Sequence, residues 1–277
     1  MSWSVTETVA KCEDIASLPE AYHKISEKLD QPTTTNNELA EVVKLEPGIT
    51  GKLLSIVNSA FYGFSNTIST ASQAISIVGR NDFRNLVLGT TVAELFEQIQ
   101  SGTFSMRDYW EHALLCAICS KMLGEQWKIK EDREALFIAG LLHDVGKLVI
   151  VQVLPDKAEL LIPYWQDNPF EYSFEQQLLG FDHAEVGAEL MKSWGLPGIL
   201  VEATGCHHQP NKAEINKHSS HAVFIANVLA HNDEHRVAEA LAQCREAIAI
   251  NDDIDTLLEL QQEALRKRET LIGIFLG

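Results

Sequence analysis

The stretch Ala135–Val151, ALFIAGLLHDVGKLVIV, is an apolar run interrupted by His143, Asp144 and Lys147. Neither an ionised carboxylate nor a lysine is stable in such a run unless it is paired, hydrogen-bonded or bound to metal. On a helix Lys147 lies four residues after His143 and three after Asp144, so the three side chains can converge on one point outside the axis. Two readings are open. One is an Asp144–Lys147 ion pair beside a packed histidine; the other is a metal or catalytic site built into a core helix.

Outward from this stretch the pattern is helical, and no strand pattern competes with it. Leu18-Pro19 opens a segment with Tyr22, Ile25 and Leu29 at helical spacing, closed by Asp30-Gln31-Pro32. Thr35 and Glu38 have capping-box spacing ahead of Leu39, Val42 and Val43. Pro47 suits the first turn of a helix carrying Ile49, Leu53, Leu54 and Val57. A fourth helix through Ala74, Ile75 and Val78 should stop at Gly79 as a left-handed cap, and Phe83, Leu86, Val87, Thr90 and Leu95 mark a fifth. The polar exit QIQSGTFS, 98–105, reads as a joint between two helical subdomains that share an interface. A long final helix carries Leu257, Leu258, Leu260, Leu265 and Leu271 and is expected to pack across the body.

At 277 residues and 45% hydrophobic content the chain can bury a core without an outside staple. Residues 1–15 lack the basic start and apolar stretch of a secretory signal, and the longest apolar run carries charge, so a soluble cytoplasmic protein with no membrane contact is expected. A formal net charge of −17 repels nucleic-acid phosphates and argues against duplex binding. Arg266, Lys267 and Arg268 read as a solvated helix face. Five cysteines, an odd number, suit a reducing compartment. Cys116 and Cys119 form a C-x-x-C that shares a helical stripe with His112; buried cysteine more often packs as a small apolar residue than holds zinc.

Eight of the ten histidines lie at or beyond His143. Those in apolar or turn contexts are the ligand candidates: His112 in YWEHALL, His143, His183 in GFDHAEVG, and the doublet His207-His208 in TGCHHQP. His231 and His235, in the charged stretch HNDEHR, read as solvated, His218 and His221 as part of a helix start, and His23 as a surface or packed side chain. Imidazoles suit divalent iron, manganese, nickel or zinc, and an interspersed carboxylate can bridge two ions. Trp110, Phe137, Trp165 and Trp194 read as core. Asn58 and Ser59 either end their helix as a cap or present a partner-facing hydrogen-bonding site.

The ordered set of a histidine, HD-x-x-K, a histidine ahead of a small apolar helix and then HH resembles the histidine-aspartate hydrolase superfamily, including its binuclear branch. The first half narrows the likeness: LPEAYHKISEKL, ELAEVVKLEPGITGKLLSIVNSAFYG and ISTASQAISIVGRNDFRNLVLG resemble the amino-terminal part of HDOD proteins, and WGLPGILVEATGCHHQP continues it. The resemblance covers roughly 15–235 and implies an all-α fold of two helical subdomains, 17–104 and an HD-like 105–235, flanked by an N-terminal segment 1–16 and a C-terminal helical segment 236–277. It implies metal ligands at His112, His143, Asp144, His183, His207 and His208, with Asp144 and Lys147 as the catalytic pair and Lys147 as a phosphate-side cation.

Two departures from active relatives stand out. The helix after the HH doublet, HAVFIANVLAH, presents Asn227 where those relatives carry an aspartate, and QPNKAE replaces their glycine-tyrosine-proline turn. A neutral amide oxygen at Asn227 can bind metal but adds no charge to offset the repulsion of two ions. The expected function is therefore a bacterial signal-transduction output module of HDOD type with a signalling protein as partner. The alternative is a metal-dependent phosphohydrolase acting through a metal-bound water on a phosphorylated small molecule or nucleotide.

Overall fold

The computed structural model describes residues 3–12, 17–97, 99, 103–129, 133–167 and 172–276. Among the described residues every regular element is a helix, and the chain divides into two compact units: Leu18–Glu97 with Arg266–Gly277, and Met1–Ser17 with Gln98–Leu265. The first of the helices, α1 (Val5–Ala10), thus goes with the second unit, and the last crosses the division; the units divide after residues 17, 97 and 265, where 16, 104 and 235 were the expected boundaries. Part of QIQSGTFS lies outside the described residues.

The first unit follows its sequence signals closely. Helix α2 (Glu20–Asp30) buries Tyr22, Ile25 and Leu29. Helix α3 (Asn36–Val43) starts on a capping box in which the Thr35 hydroxyl accepts the Glu38 N–H and Glu38 accepts the Thr35 N–H. Pro47 occupies the first turn of α4 (Pro47–Val57), where its missing N–H costs nothing. Helices α5 (Ala71–Val78) and α6 (Arg80–Leu95) are joined by Gly79 alone. Its φ is +87° as expected, but its ψ of 164° is extended, so the residue redirects the chain into α6 rather than closing α5 with a left-handed cap. Asn58 is structural: its amide donates to Leu54 O and Ile68 O and its Oδ1 accepts the Ile68 N–H, which ties down the loop between α4 and α5.

In the second unit α7 (Met106–Gln126) is buried along most of its length and carries α8 (Arg133–Leu142) against it. The apolar run expected to form one helix is interrupted by a turn at His143-Asp144, after which α9 (Val145–Val153) begins. By length and composition Ala135–Val153 could cross a membrane, but 89% of it lies inside the folded unit, which makes it a core segment. The chain continues through α10 (Pro155–Asp167), α11 (Ser173–Leu179), α12 (His183–Ser193), α13 (Gly198–Cys206), a 3-10 turn at Pro210–Lys212, α14 (Lys217–Ala230), α15 (Glu234–Ile248) and α16 (Ile254–Leu276). Helix α14 packs on α7, and α12 packs on α9 and α13, with α1 against α9 and α12.

Three glycines set the crossings that bring these helices together. A Cβ on Gly140 would lie 2.7 Å from Ala117 Cα, one on Gly146 would lie 1.9 Å from the His183 carbonyl oxygen, and one on Gly187 would lie 2.8 Å from Thr204 Cγ2. Backbone therefore meets backbone where α8 crosses α7 and where α9 meets the start of α12. His112, His143, Asp144 and His183 are on, or next to, these same contacts.

Candidate functional site

The six residues whose convergence the sequence predicts do come together. His112 projects from α7, His143 and Asp144 from the α8–α9 break, His183 from the first position of α12, and His207 and His208 from the end of α13. They form two donor groups able to hold a metal ion, His112–His143–Asp144 and His183–His207–His208, each with its ligand atoms within 4.8 Å of one another. Asp144 links the groups. Its Oδ2 lies 3.5 Å from His143 Nε2 and 3.7 Å from His112 Nε2, while its Oδ1 lies 3.1 Å from His183 Nε2 and 3.5 Å from His207 Nε2.

Local structure aims three of the rings. His143 and His207 end their helices, and each Nδ1–H donates back to the carbonyl three residues earlier, Gly140 O at 2.7 Å and Thr204 O at 2.6 Å. That bond fixes the tautomer and leaves the Nε2 lone pair pointing into the cluster. His183 is oriented from α11, because Glu175 Oε1 takes its Nδ1–H at 2.6 Å and Oε2 takes its backbone N–H at 2.5 Å. The Trp165 indole N–H donates to the same carboxylate at 2.7 Å, so Trp165 braces the site as well as filling the core. Asp182 caps α12 in a capping box with Glu185 and accepts from Gln176, which fixes where His183 starts.

The electrostatics follow from burial. Desolvation drives His143 down to about 3 and holds His112, His207 and His208 below the ordinary imidazole range, so these rings are neutral ligands at pH 7. Burial also opposes charge on His183, but the Glu175 carboxylate outweighs it and raises this group to about 9. Asp144 stays ionised against its own burial because His143, Lys147 and the nearby His183 and His207 rings favour the anion. Lys147 Nζ sits 2.7 Å from Asp144 Oδ2, so the ion pair and the metal-type cluster, two readings that the sequence left as alternatives, occupy one site.

The donor set fits a metal. Nε2 atoms of His112 and His143 are 3.3 Å apart, those of His183 and His207 3.2 Å, and those of His183 and His208 3.0 Å. Two nitrogens on one tetrahedral ion, at about 2.0–2.1 Å each, sit about 3.3 Å apart. Without an ion these lone pairs face one another and need shared protons. Asp144 Oδ1 and Asn227 Oδ1 are also buried acceptors with no well-formed hydrogen bond, although the His183 ring approaches the first. Asn227 sits on α14, one turn before His231.

Two features differ from the sequence reading or were absent from it. His231 is half-buried, and its ring lies 4.4 Å from the His112 ring, centroid to centroid, where a solvated position was expected. The polar stretch after it starts only at Asn232, and the last turn of α14 carries His231 onto α7. Glu175 is the second, and the sequence signals it only as a glutamate eight residues ahead of a ligand histidine. Cys116 and Cys119 are buried thiols, with burial pushing Cys119 up to about 12, and His112 turns to His143 instead of to them. The remaining histidines match their expectations: His221, on α14, is bonded to Lys217 O and to Asn211 Oδ1 of the 3-10 turn, and His23 and His235 are exposed.

Residues 15–210 match the HDOD domain family. A Treponema pallidum (strain Nichols) protein described only as uncharacterized is 24% identical over 224 residues, which is 79% of this chain but 42% of that protein. Among solved structures, a Shewanella amazonensis SB2B protein named "Putative phosphohydrolase" superposes with a TM-score of 0.77 at 23% identity, covering 98% of both chains. An HDOD domain protein with unknown function from Geobacter sulfurreducens gives 0.76 at 20% identity over 94% of this chain and 93% of its own. A Marinobacter aquaeolei VT8 protein named "Putative signal transduction protein" gives 0.75 at 22% identity over 94% of this chain and 59% of its own. Structural likeness at these identities establishes the fold, while the family match spans well over half of the sequence. With helices, HD break and histidine doublet all in place, this chain belongs to the HDOD domain family.

Proposed function

We propose that this HDOD protein is a signal-transduction output module whose second unit hydrolyses phosphate esters at a two-ion histidine–aspartate centre. The observation that carries the reading is the position of Asp144, which turns one carboxylate oxygen to each donor group. Divalent iron, manganese, nickel or zinc bound there would supply Lewis-acid polarisation of a phosphoryl group and a nucleophilic water at neutral pH. The chain's residues do the rest. Glu175 keeps the His183 proton on Nδ1 and so presents Nε2 to the cluster. Lys147 holds a buried cation beside Asp144, where it can neutralise charge on phosphoryl oxygens.

One observation favours a second reading, a regulatory module that acts through a protein partner without hydrolysis. Asn227 adds no charge to the site, so Asp144 is the sole carboxylate in the two donor groups to offset the repulsion between two dications. Elemental analysis of the purified protein together with turnover of a generic aryl phosphoester separates the two. Two ions per chain, with turnover abolished by Asp144→Ala, is the expected result. One ion or none, with no turnover after reconstitution, would leave the regulatory reading.

A further inference from the structure

We infer that His231 is a positioning residue for His112, holding that imidazole by packing ring against ring rather than by a hydrogen bond; the inference rests on the two-ion reading above. A histidine bound through Nε2 alone can rotate about its broad outer torsion, so ligand rings are usually fixed by a second anchor on Nδ1. His143, His183 and His207 each have one, in Gly140 O, Glu175 Oε1 and Thr204 O. Among the described residues no hydrogen bond anchors Nδ1 of His112, whose polar contacts are all on Nε2, with His143 and Asp144. What lies against its ring is His231, with centroids 4.4 Å apart and planes 37° apart.

The turn that carries His231 is built to hold it there. His231 is the last helical-like residue of α14, and Asn232 after it takes a positive φ of 56°, a conformation asparagine tolerates better than most residues. Gln261, buried on α16, clamps that turn by donating to Leu229 O at 2.6 Å and to Asn232 Oδ1 at 3.0 Å. A surface histidine at a frayed helix end would need no such clamp. The ring nitrogens of His231 are also outside the His112–His143–Asp144 donor group, which separates a packing role from that of a further ligand.

Co²⁺ titration of the metal-free full chain tests this, read by calorimetry and by the visible d–d spectrum. The native protein should bind two ions. His231→Ala should weaken one of the two sites about tenfold and alter its spectrum, leaving the other within about twofold, and His231→Phe should restore the weakened site to within about threefold, because a ring without nitrogens still packs against His112. Equal binding by native protein and His231→Ala would overturn the inference and leave the two-ion reading standing. So would a His231→Phe variant as weak as alanine beside a His231→Gln variant that restores binding, since a nitrogen or oxygen donor would then be what matters. Native protein that binds no Co²⁺ would overturn both. If the alanine variant does not fold, the phenylalanine and glutamine variants decide between ring and donor by themselves.

Discussion

Glu175 spends both carboxylate oxygens on His183, with Oε1 2.6 Å from Nδ1 and Oε2 2.5 Å from the backbone nitrogen. One buried acid thereby fixes the ring, its tautomer and the start of α12 together.

Glu175→Gln breaks this arrangement, because an amide cannot present two acceptors to two donors and its own NH₂ must face one of them. We expect metal affinity at the His183–His207–His208 group to fall about 10- to 100-fold. Stability of the metal-free protein should drop by about 1–3 kcal/mol for the buried N–H left unpaired. Calorimetric titration and thermal melts check the two effects separately.

The metal-free protein should be most stable near pH 6.5, the ordinary imidazole value. His183 is raised to about 9 in the folded protein, so between 6.5 and about 9 the native state holds a proton the unfolded chain has lost, and stability falls as pH rises. His143, held to about 3, and His231, held to about 4, work the other way: below 6.5 the unfolded chain gains protons that the native state refuses. Melting temperature measured in chelator from pH 4.5 to 9.5, as about ten points, should trace this maximum. In Glu175→Gln the alkaline limb should flatten; an unchanged limb would assign the raised group elsewhere.

Gly146→Ala should be among the most damaging single-methyl changes in the chain. Its Cβ would fall 1.9 Å from the His183 carbonyl oxygen, backbone that cannot swing aside. A loss of about 3 kcal/mol or more is expected, with metal binding lost alongside. Gly51→Ala, on the exposed face of α4 with nothing within 4 Å, is the control and should instead gain about 0.5–1 kcal/mol. Urea denaturation of both variants reads the contrast.

Asn227→Asp should act in opposite directions with and without metal. A carboxylate at this buried position, where Oδ1 now has no hydrogen-bond partner, would lower the melting temperature of the metal-free protein. With divalent ion present the added charge should raise affinity and, if Lys147 is already placed, turnover of an aryl phosphoester, a gain that Asp144→Ala removes. A variant that binds no more metal than native protein would mean that Asn227 does not face the donor groups.

The helices were legible in the sequence because their signals are local: the Thr35–Glu38 capping box and Pro47 act within one turn, and each stands where expected. The six converging donors were legible through their order along the chain, a resemblance that geometry alone could not have supplied. The break at His143-Asp144 was not, since neither residue must end a helix; it falls two residues ahead of Gly146, where the α9 backbone meets the start of α12. Glu175 and His231 were missed for a related reason. Each looks like an ordinary polar residue near a helix end, and each gains its role only from a neighbour on another helix.

The donors reach the cluster from α7, the α8–α9 break, α12 and the end of α13, so no short piece of the chain contains a usable ion site. Such a site closes only after the slow, long-range steps of folding have been taken. An ion that binds it should then leave the refolding rate nearly unchanged and slow unfolding almost in full proportion to the stability it adds. In a denaturant chevron the unfolding limb alone should drop when metal is present, and the protein's lifetime in the cell would then follow the supply of metal.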